Sequence, residues 1–572
     1  MGQDGAVDTM TSRALPLLLT LLALLMAPTG CSGTVLSSPD GGSTHEADVV
    51  LEAEDVSLVD ESPGDDATSL VDLPAPGEDA VAETWLGEDG VEDTDPDTYS
   101  VATTDVSIDE DAGSNVTADA LADSGGVDLE QPPEPVTPTL FAEWLAEGET
   151  AAILDTVAAW DGPVCDETGC LFVTQAPAGT SIATVLGEFN GWSEAAALAL
   201  EPVDGAPLVF WGILSPAVAA PTAYKVQFDG QWALDPANPY VLFGGFGVDS
   251  ALTPPGFGRI TVMEGVVSPQ LGNTRDCFVY LPAPYFEDTI DDFAVLVMHD
   301  GFNVFTNPLA PFGSWDVEVA ADALIAAGDV EPMIIVAVDT DDRLQEYTWT
   351  PIDVGDGPLL AKAPAYADFL ADTLLPAVAA RFRTLGDVSR TGIAGSSLGG
   401  IISMWVAWMR PDAFGRVGSF SGAYWVGEPD ADEPSGPPMH TLIDQNPKAV
   451  PPGGLRIYLD TGDTSSSGQK SYASDSWVYT DWTRNALVRL GWDNHVGWDA
   501  DGTLATPPTD LPAETAPASV PHLVWSTVPA DAYWTDPGRD LLCVVGHGHQ
   551  HNEAAWKQRF GVALRFLYPP EP

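Results

Sequence analysis

The stretch that most constrains this chain is Thr391-Gly392-Ile393-Ala394-Gly395-Ser396-Ser397-Leu398-Gly399-Gly400. It reads as a short apolar strand, a sharp turn and then a helix starting at Leu398. Gly395-Ser396-Ser397-Leu398-Gly399 fits G-x-S-x-G, the pattern of a nucleophilic serine held on a strained strand-to-helix turn. Side chains at Gly395 and Gly399 would collide with the neighbouring strand and helix. The Leu398 N–H, at a helix N-terminus, would face a developing oxyanion.

From 258 to 572 strand-like runs alternate with helical ones. The strands are predicted at 260–266, 277–281, 294–298, 333–338, 391–394, 416–420, 455–459 and 541–545, and the helices at 317–327, 366–382, 398–409 and 477–490. This alternation predicts an α/β domain: a mostly parallel sheet with helices on both faces and ligands at the carboxyl ends of the strands. The stretches 426–454 and 496–537, rich in Pro, Gly, Asp and Ala, read as long loops.

A serine nucleophile needs a base, an acid to orient it, and oxyanion donors. In α/β-hydrolases these follow in the order Ser, acid, His, each just after a strand. That order holds here. After the last strand comes Gly546-His547-Gly548-His549-Gln550-His551-Asn552-Glu553-Ala554-Ala555-Trp556, with Arg559 beyond it. The phrase resembles the terminal motif of the esterase family that includes enterochelin-type esterases, feruloyl esterases and mycolyltransferases. The resemblance implies that His551 is the catalytic histidine and that His547 and His549 are not. Three further segments extend it across 260–570. Met298-His299-Asp300-Gly301-Phe302 stands where a second oxyanion amide is expected, from Gly301 or Phe302. Arg343-Leu344-Gln345-Glu346-Tyr347-Thr348 and Ser419-Phe420-Ser421-Gly422-Ala423-Tyr424-Trp425 are similar to family segments near the site.

The acid is expected at the end of Tyr458-Leu459-Asp460-Thr461-Gly462-Asp463. Many family members carry it three residues after the glycine, where this chain has Ser465. Asp463 is the candidate and Asp475 the alternative. Asp460 precedes the turn and is expected to point elsewhere, and His299 reads as a structural hydrogen-bonder. His547, His549 and His551 would share one face of an extended strand and could hold zinc, but no Glu or Cys stands at a metal spacing. No metal or cofactor is expected.

Ahead of this domain, 136–257 opens with helical patterns at 140–145 and 151–160. Short strands follow at 170–175, 182–187, 208–214 and 223–228, the signature of a small β-sandwich. Gly187-Glu188-Phe189-Asn190-Gly191-Trp192 and Tyr224-Lys225-Val226-Gln227-Phe228-Asp229-Gly230 resemble early-set, immunoglobulin-like domains that precede catalytic domains in enterochelin-esterase-like and glycogen-branching-type proteins. Some of those bind glucans on aromatic platforms; here Trp192 and Trp232 read as sandwich core.

The first 30 residues look like an export signal: Arg13, an apolar run over 15–26, and small residues before Cys31. That run is short for a membrane span. The cysteine resembles the lipidated residue of bacterial lipoproteins, although Pro28, Asp4 and Asp8 depart from the pattern. The resemblance implies a cell-envelope protein anchored by lipid at the outer membrane, with plain secretion as the alternative. Residues 31–135 carry no Lys or Arg and read as a disordered acidic tether. The formal net charge of -66 excludes nucleic acid and anionic membrane surfaces as partners. Cys165 and Cys170 close a short loop and are the expected disulfide, whereas Cys277 and Cys543 lie in apolar strand-like runs and read as buried thiols.

These features predict an exported serine esterase acting on a small-molecule or polysaccharide-linked carboxylic ester. The alternatives are a siderophore trilactone esterase, an acyltransferase, and a carbohydrate-binding lipoprotein without catalysis. Neither the substrate nor the oligomeric state is legible in the sequence.

Overall fold

The structure is a computed structural model that describes residues 136–158, 161–287, 291–353, 358–427, 436–447, 449–464, 477–492, 523–524, 540–546 and 548–570. The export signal, Cys31, the acidic tether, Ser465, Asp475 and His547 lie outside the described residues.

The second domain is built on one mixed sheet. Its strands lie in the spatial order Arg259–Ser268, Asn273–Leu281, Met333–Val338, Ala294–His299, Thr391–Ser396, Arg416–Phe420, Arg456–Gly462, Leu541–Gly546. Asn273–Leu281 runs antiparallel to both neighbours, and from Met333–Val338 onward all pairings are parallel. With the strands numbered along this domain, the order is one-two-four-three-five-six-seven-eight with strand two reversed. That is the α/β-hydrolase arrangement. The central strands are buried along their whole length, which is why they read as continuous apolar runs rather than alternating ones. Val295, Val297, Ile393 and Ile457 face a core shared with the helix Leu398–Met409. Leu296, Met298, Ala394 and Tyr458 face a second core, shared with the terminal helix Glu553–Leu567.

Two predicted elements differ. The helix expected over 366–382 is divided into Ala363–Phe369, a π-turn Leu370–Leu374, and Leu375–Arg381. Pro376 explains the break, because it has no N–H to donate to the preceding turn. The stretch 426–454 contains a helix, Met439–Gln445, where a loop was expected. Met439 and Ile443, four residues apart, are its buried face.

The body before this domain is all-antiparallel between Val164–Cys165 and Gly247–Leu252. Phe172, Val185, Phe210, Tyr224 and Val226 form its core. The two lead-in helices, Pro138–Glu147 and Thr150–Ala158, seat Phe141 and Ile153 against Leu171, Val173 and Val209. Cys165 and Cys170 are joined by a disulfide, and Cys277 and Cys543 are buried thiols. Tyr240–Gly244 pairs with Arg259–Ser268, so the two bodies share a continuous ladder.

Trp192 and Trp232 are not core residues. Trp232 lies on the short strand Gln231–Ala233 and is 48% exposed. Trp192 sits in the left-handed region at φ 59° after Gly191. The two rings meet at 6.2 Å on the surface, and the interior is filled by Phe172 and Tyr224 instead.

Candidate active site

Ser397 stands at the end of the strand Thr391–Ser396 with φ 54° and ψ -120°. For a residue with a side chain this conformation is strained by roughly 1–3 kcal/mol. Hydrogen bonds over-determine it. The Ser397 N–H donates to Phe420 O at 3.0 Å, and Ser397 O accepts from Ile401 N at 3.1 Å and Ala423 N at 2.8 Å. A Cβ on Gly395 would lie 2.9 Å from the carbonyl of Gly399, and one on Gly399 would lie 3.0 Å from Asp300 Oδ2. Gly395 is therefore dictated by the turn, and Gly399 by the close approach of the His299–Asp300 loop. Leu398 opens the helix, and its N–H has no acceptor among the described residues.

The loop after Ala294–His299 flanks this turn. Asp300 is left-handed at φ 58°. Gly301 packs flush on the adjacent strand, where a Cβ would come within 3.0 Å of the Ala337 and Val338 carbonyl carbons. Of the two amides expected to serve an oxyanion, that of Phe302 already donates to Asp339 Oδ1 at 2.9 Å. To serve an oxyanion, the Phe302 amide would have to share or leave that acceptor. The Gly301 N–H has no acceptor among the described residues. The Arg343–Thr348 segment braces the loop. Arg343 grips Asp300 through Nε–Oδ1 at 2.8 Å and Nη2–Oδ2 at 2.9 Å, and Nη2 also reaches Ser396 O at 3.3 Å. The Asp300 N–H donates to the Tyr347 hydroxyl at 3.3 Å. Glu346 is pinned by both terminal nitrogens of Arg275 at 3.0 Å.

On the other side, Asp463 follows the strand Arg456–Gly462 and is 4% exposed. Its Oδ1 accepts from Gly548 N at 2.8 Å and from the Thr464 hydroxyl at 2.7 Å, which fixes the carboxylate against the turn leading to His551. His551 stacks edge-on against Trp556 at 5.0 Å. Trp556 Nε1 is tied to Ser421 Oγ at 3.0 Å. Asp460 points away from the site, as expected. Its two oxygens bind Arg559 Nε and Nη2 at 2.8 and 3.0 Å, and both side chains are fully buried. Arg559 also holds Ser421 Oγ at 2.9 Å and meets His549 Nδ1 at 3.1 Å, so His549 belongs to this framework.

His299 is buried, with Nδ1 at 2.9 Å from the Tyr366 hydroxyl. Burial pushes its pKa down to about 4, which keeps the ring neutral and suits a structural role. Glu553, two residues after His551, is also buried, and burial pushes its carboxyl up to about 7. Among the described residues no group of three His, Cys, Asp or Glu side chains is placed to hold a metal.

Comparison with known proteins agrees with this geometry. Residues 268–486 match the family described as "Putative esterase". Over these residues the chain is enterochelin-esterase-like. The matched segment contains Gly301, Ser397 and Asp463. Among curated relatives, the uncharacterized protein YbbA of Bacillus subtilis (strain 168) is 24% identical over 212 residues, covering 36% of this chain and 76% of that protein. The iron(III) salmochelin esterase of Escherichia coli O6:H1 is 28% identical over 200 residues, covering 34% of this chain and 44% of that protein. Solved structures similar to this chain include a ferulic acid esterase, with a TM-score of 0.36 and 18% identity, covering 55% of this chain and 98% of that one. A second is the ferric enterobactin esterase of Salmonella typhimurium, with a TM-score of 0.35 and 17% identity, covering 71% and 96%. At these scores the fold rests on the strand order described above.

Sequence reasoning missed the braces around this candidate site: Asp339, the Arg343–Asp300 clasp, the Arg559–Asp460 pair and Glu553. Arg343, Arg559 and Glu553 stood inside recognised phrases. Asp339 had no signal beyond following a strand.

Proposed function

We propose that the chain is an exported serine esterase that cleaves a carboxylic ester through Ser397, His551 and Asp463. The observation that carries this reading is the strained backbone of Ser397, flanked by the amides of Leu398 and Gly301, which have no acceptor among the described residues. Ser397 Oγ attacks the ester carbonyl while His551 takes its proton. The two amides receive the oxyanion, each donor being worth about 3 kcal/mol in the barrier. His551 then returns the proton to the leaving alkoxide, and water releases the acyl-enzyme by the same route. Asp463 orients the imidazole; its fixed place beside the turn before His551 supports that role.

In this reading Cys31 carries a lipid anchor at the outer membrane and 31–135 is the tether. The preceding antiparallel body is an early-set domain. Its Trp192–Trp232 pair, half-buried on one ring and exposed on the other, favours a polysaccharide-linked ester over a free one. A second reading, a siderophore trilactone as substrate, is motivated by the relative named for iron(III) salmochelin.

Turnover of p-nitrophenyl acetate and butyrate by the full chain, beside Ser397→Ala and His551→Ala, tests the mechanism. Hydrolysis by the parent chain that both substitutions abolish is expected. Equal turnover by Ser397→Ala refutes the serine mechanism.

A further inference from the structure

Gly301 is buried between two peptide planes whose polar groups are otherwise engaged. In the plane before it, Asp300 O accepts from Asn303 N at 2.9 Å. In the plane after it, Gly301 O accepts from Val304 N at 3.3 Å, and the Phe302 N–H donates to Asp339 Oδ1 at 2.9 Å. The Gly301 N–H is the one backbone group of these two planes with no acceptor among the described residues. A buried polar group left without a partner costs about 1–3 kcal/mol. An arrangement that satisfies the three neighbouring groups and leaves this donor open points to a ligand oxygen as its acceptor.

The anchors differ in kind. Asn303 N and Val304 N belong to the short 3₁₀ turn Gly301–Asn303, which supplies such bonds by itself. Asp339 is 37 residues on and is the long-range tie. It follows the strand Met333–Val338, on whose end Gly301 is seated. A Cβ on Gly301 would lie 3.0 Å from the carbonyl carbons of Ala337 and Val338 and 3.1 Å from Asp339 N. Asp339 is itself fixed, because its carbonyl accepts from Arg275 Nη1 at 2.9 Å. Arg275 is buried and held by both oxygens of Glu346 at 3.0 Å, and Glu346 also accepts from the Thr340 hydroxyl at 2.6 Å.

We propose that Asp339 is a positioning residue: its carboxylate fixes the Gly301–Phe302 peptide and thereby aims the Gly301 N–H at the oxyanion formed when Ser397 attacks. The proposal rests on the serine-esterase reading. Asp339 touches no reacting atom and neither gives nor takes a proton. It acts through orientation, and a displacement of about 1 Å at such a site can cost about a hundredfold in rate. Arg343 has a separate task, gripping the Asp300 side chain on the other side of Gly301. The Phe302 amide serves the brace and the Gly301 amide serves the substrate.

The test compares Asp339→Ala and Asp339→Asn in the full chain. The substrate is p-nitrophenyl butyrate, and an alkyl trifluoromethyl ketone is the inhibitor. A nucleophilic serine adds to such a ketone and leaves an oxyanion, so its affinity reads the oxyanion donors. Asp339→Ala is expected to lower kcat by about tenfold to a hundredfold and to weaken the ketone by a similar factor, with KM within about twofold. Asp339→Asn keeps an acceptor at the same reach and is expected to hold both quantities within about threefold of the parent. A merely structural role would lower the active fraction and leave the ketone affinity of the remainder unchanged. Parental ketone affinity in Asp339→Ala therefore overturns the proposal, as does a loss that Asn fails to restore. The bond is also read without turnover, from the Phe302 amide proton by NMR. Its resonance is expected to move in Asp339→Ala and to stay near the parent position in Asp339→Asn; an unmoved resonance in Asp339→Ala overturns the proposal. Ser397→Ala is measured alongside. Turnover that survives it sinks the serine reading itself, whereas its loss beside an unaltered Asp339→Ala sinks this proposal alone. If Asp339→Ala does not fold, Asp339→Ser, whose hydroxyl falls short of Phe302, replaces it under the same criteria.

Discussion

The two flanks of the candidate site use the same device to different depths. On the histidine side, Arg559 grips Asp460 in a pair that is fully buried on both partners. On the oxyanion side, Arg343 grips Asp300 with the same two-pronged geometry, but the side chains are 34% and 20% exposed. The buried pair is surrounded by Tyr458, Ser421, Trp556 and His549, each hydrogen-bonded to it or to a shared partner. The part-exposed pair also reaches the Ser396 carbonyl, and Arg343 lies over the Tyr347 ring at 5.7 Å. Geometry alone therefore does not rank the two. Desolvation does: removing one partner of a buried pair leaves a charge that water cannot reach, whereas an exposed pair is replaced by solvent. In the proposed mechanism the histidine side anchors the fold, and the other side holds the loop that carries the Gly301 amide.

The sharpest break of that comparison is Arg559→Ala. It is expected to cost about 3–5 kcal/mol of stability, measured by urea unfolding, because Asp460 is left buried and unpaired. A cost below 1 kcal/mol would place both pairs in one class. Next comes pH. His299 has a folded pKa of about 4 against an ordinary 6.5. Below 6.5 the unfolded chain binds a proton that the folded chain refuses, so stability is expected to fall between pH 6.5 and 4, by up to about 3 kcal/mol. His299→Gln should remove that slope in urea titrations at pH 7 and pH 4.5. Ser421→Ala is smaller, at about 1–3 kcal/mol, since two buried donors lose their acceptor. Arg343→Ala is expected to change stability by about 1 kcal/mol or less while lowering kcat about tenfold or more. A large stability loss with intact kcat would reverse the roles assigned to the two flanks.

Much of this was legible in the sequence because the physics is local. A serine between Gly395 and Gly399 announces its turn, since a Cβ at Gly395 would meet backbone and one at Gly399 would crowd the side chains of His299 and Asp300. Buried parallel strands announce themselves as apolar runs, and the predicted run 333–338 matched the observed Met333–Val338. What stayed hidden depends on distant partners. Nothing near Phe302 reveals that Asp339, 37 residues on, captures its amide. Nothing near Glu553 reveals that it turns inward, because its neighbour Asn303 is 250 residues away. Trp192 and Trp232 read as core because tryptophan usually is buried. Their place outside the core follows from a left-handed turn and a short edge strand, neither of which leaves an apolar pattern.

The most direct test of the central claim is where a fluorophosphonate attaches to the full chain. Mass-spectrometric mapping is expected to find one adduct, on Ser397, formed slowly or not at all in His551→Ala and Asp463→Asn. Folded protein that reacts elsewhere, or does not react at all, would contradict a nucleophilic Ser397 and the site built around it.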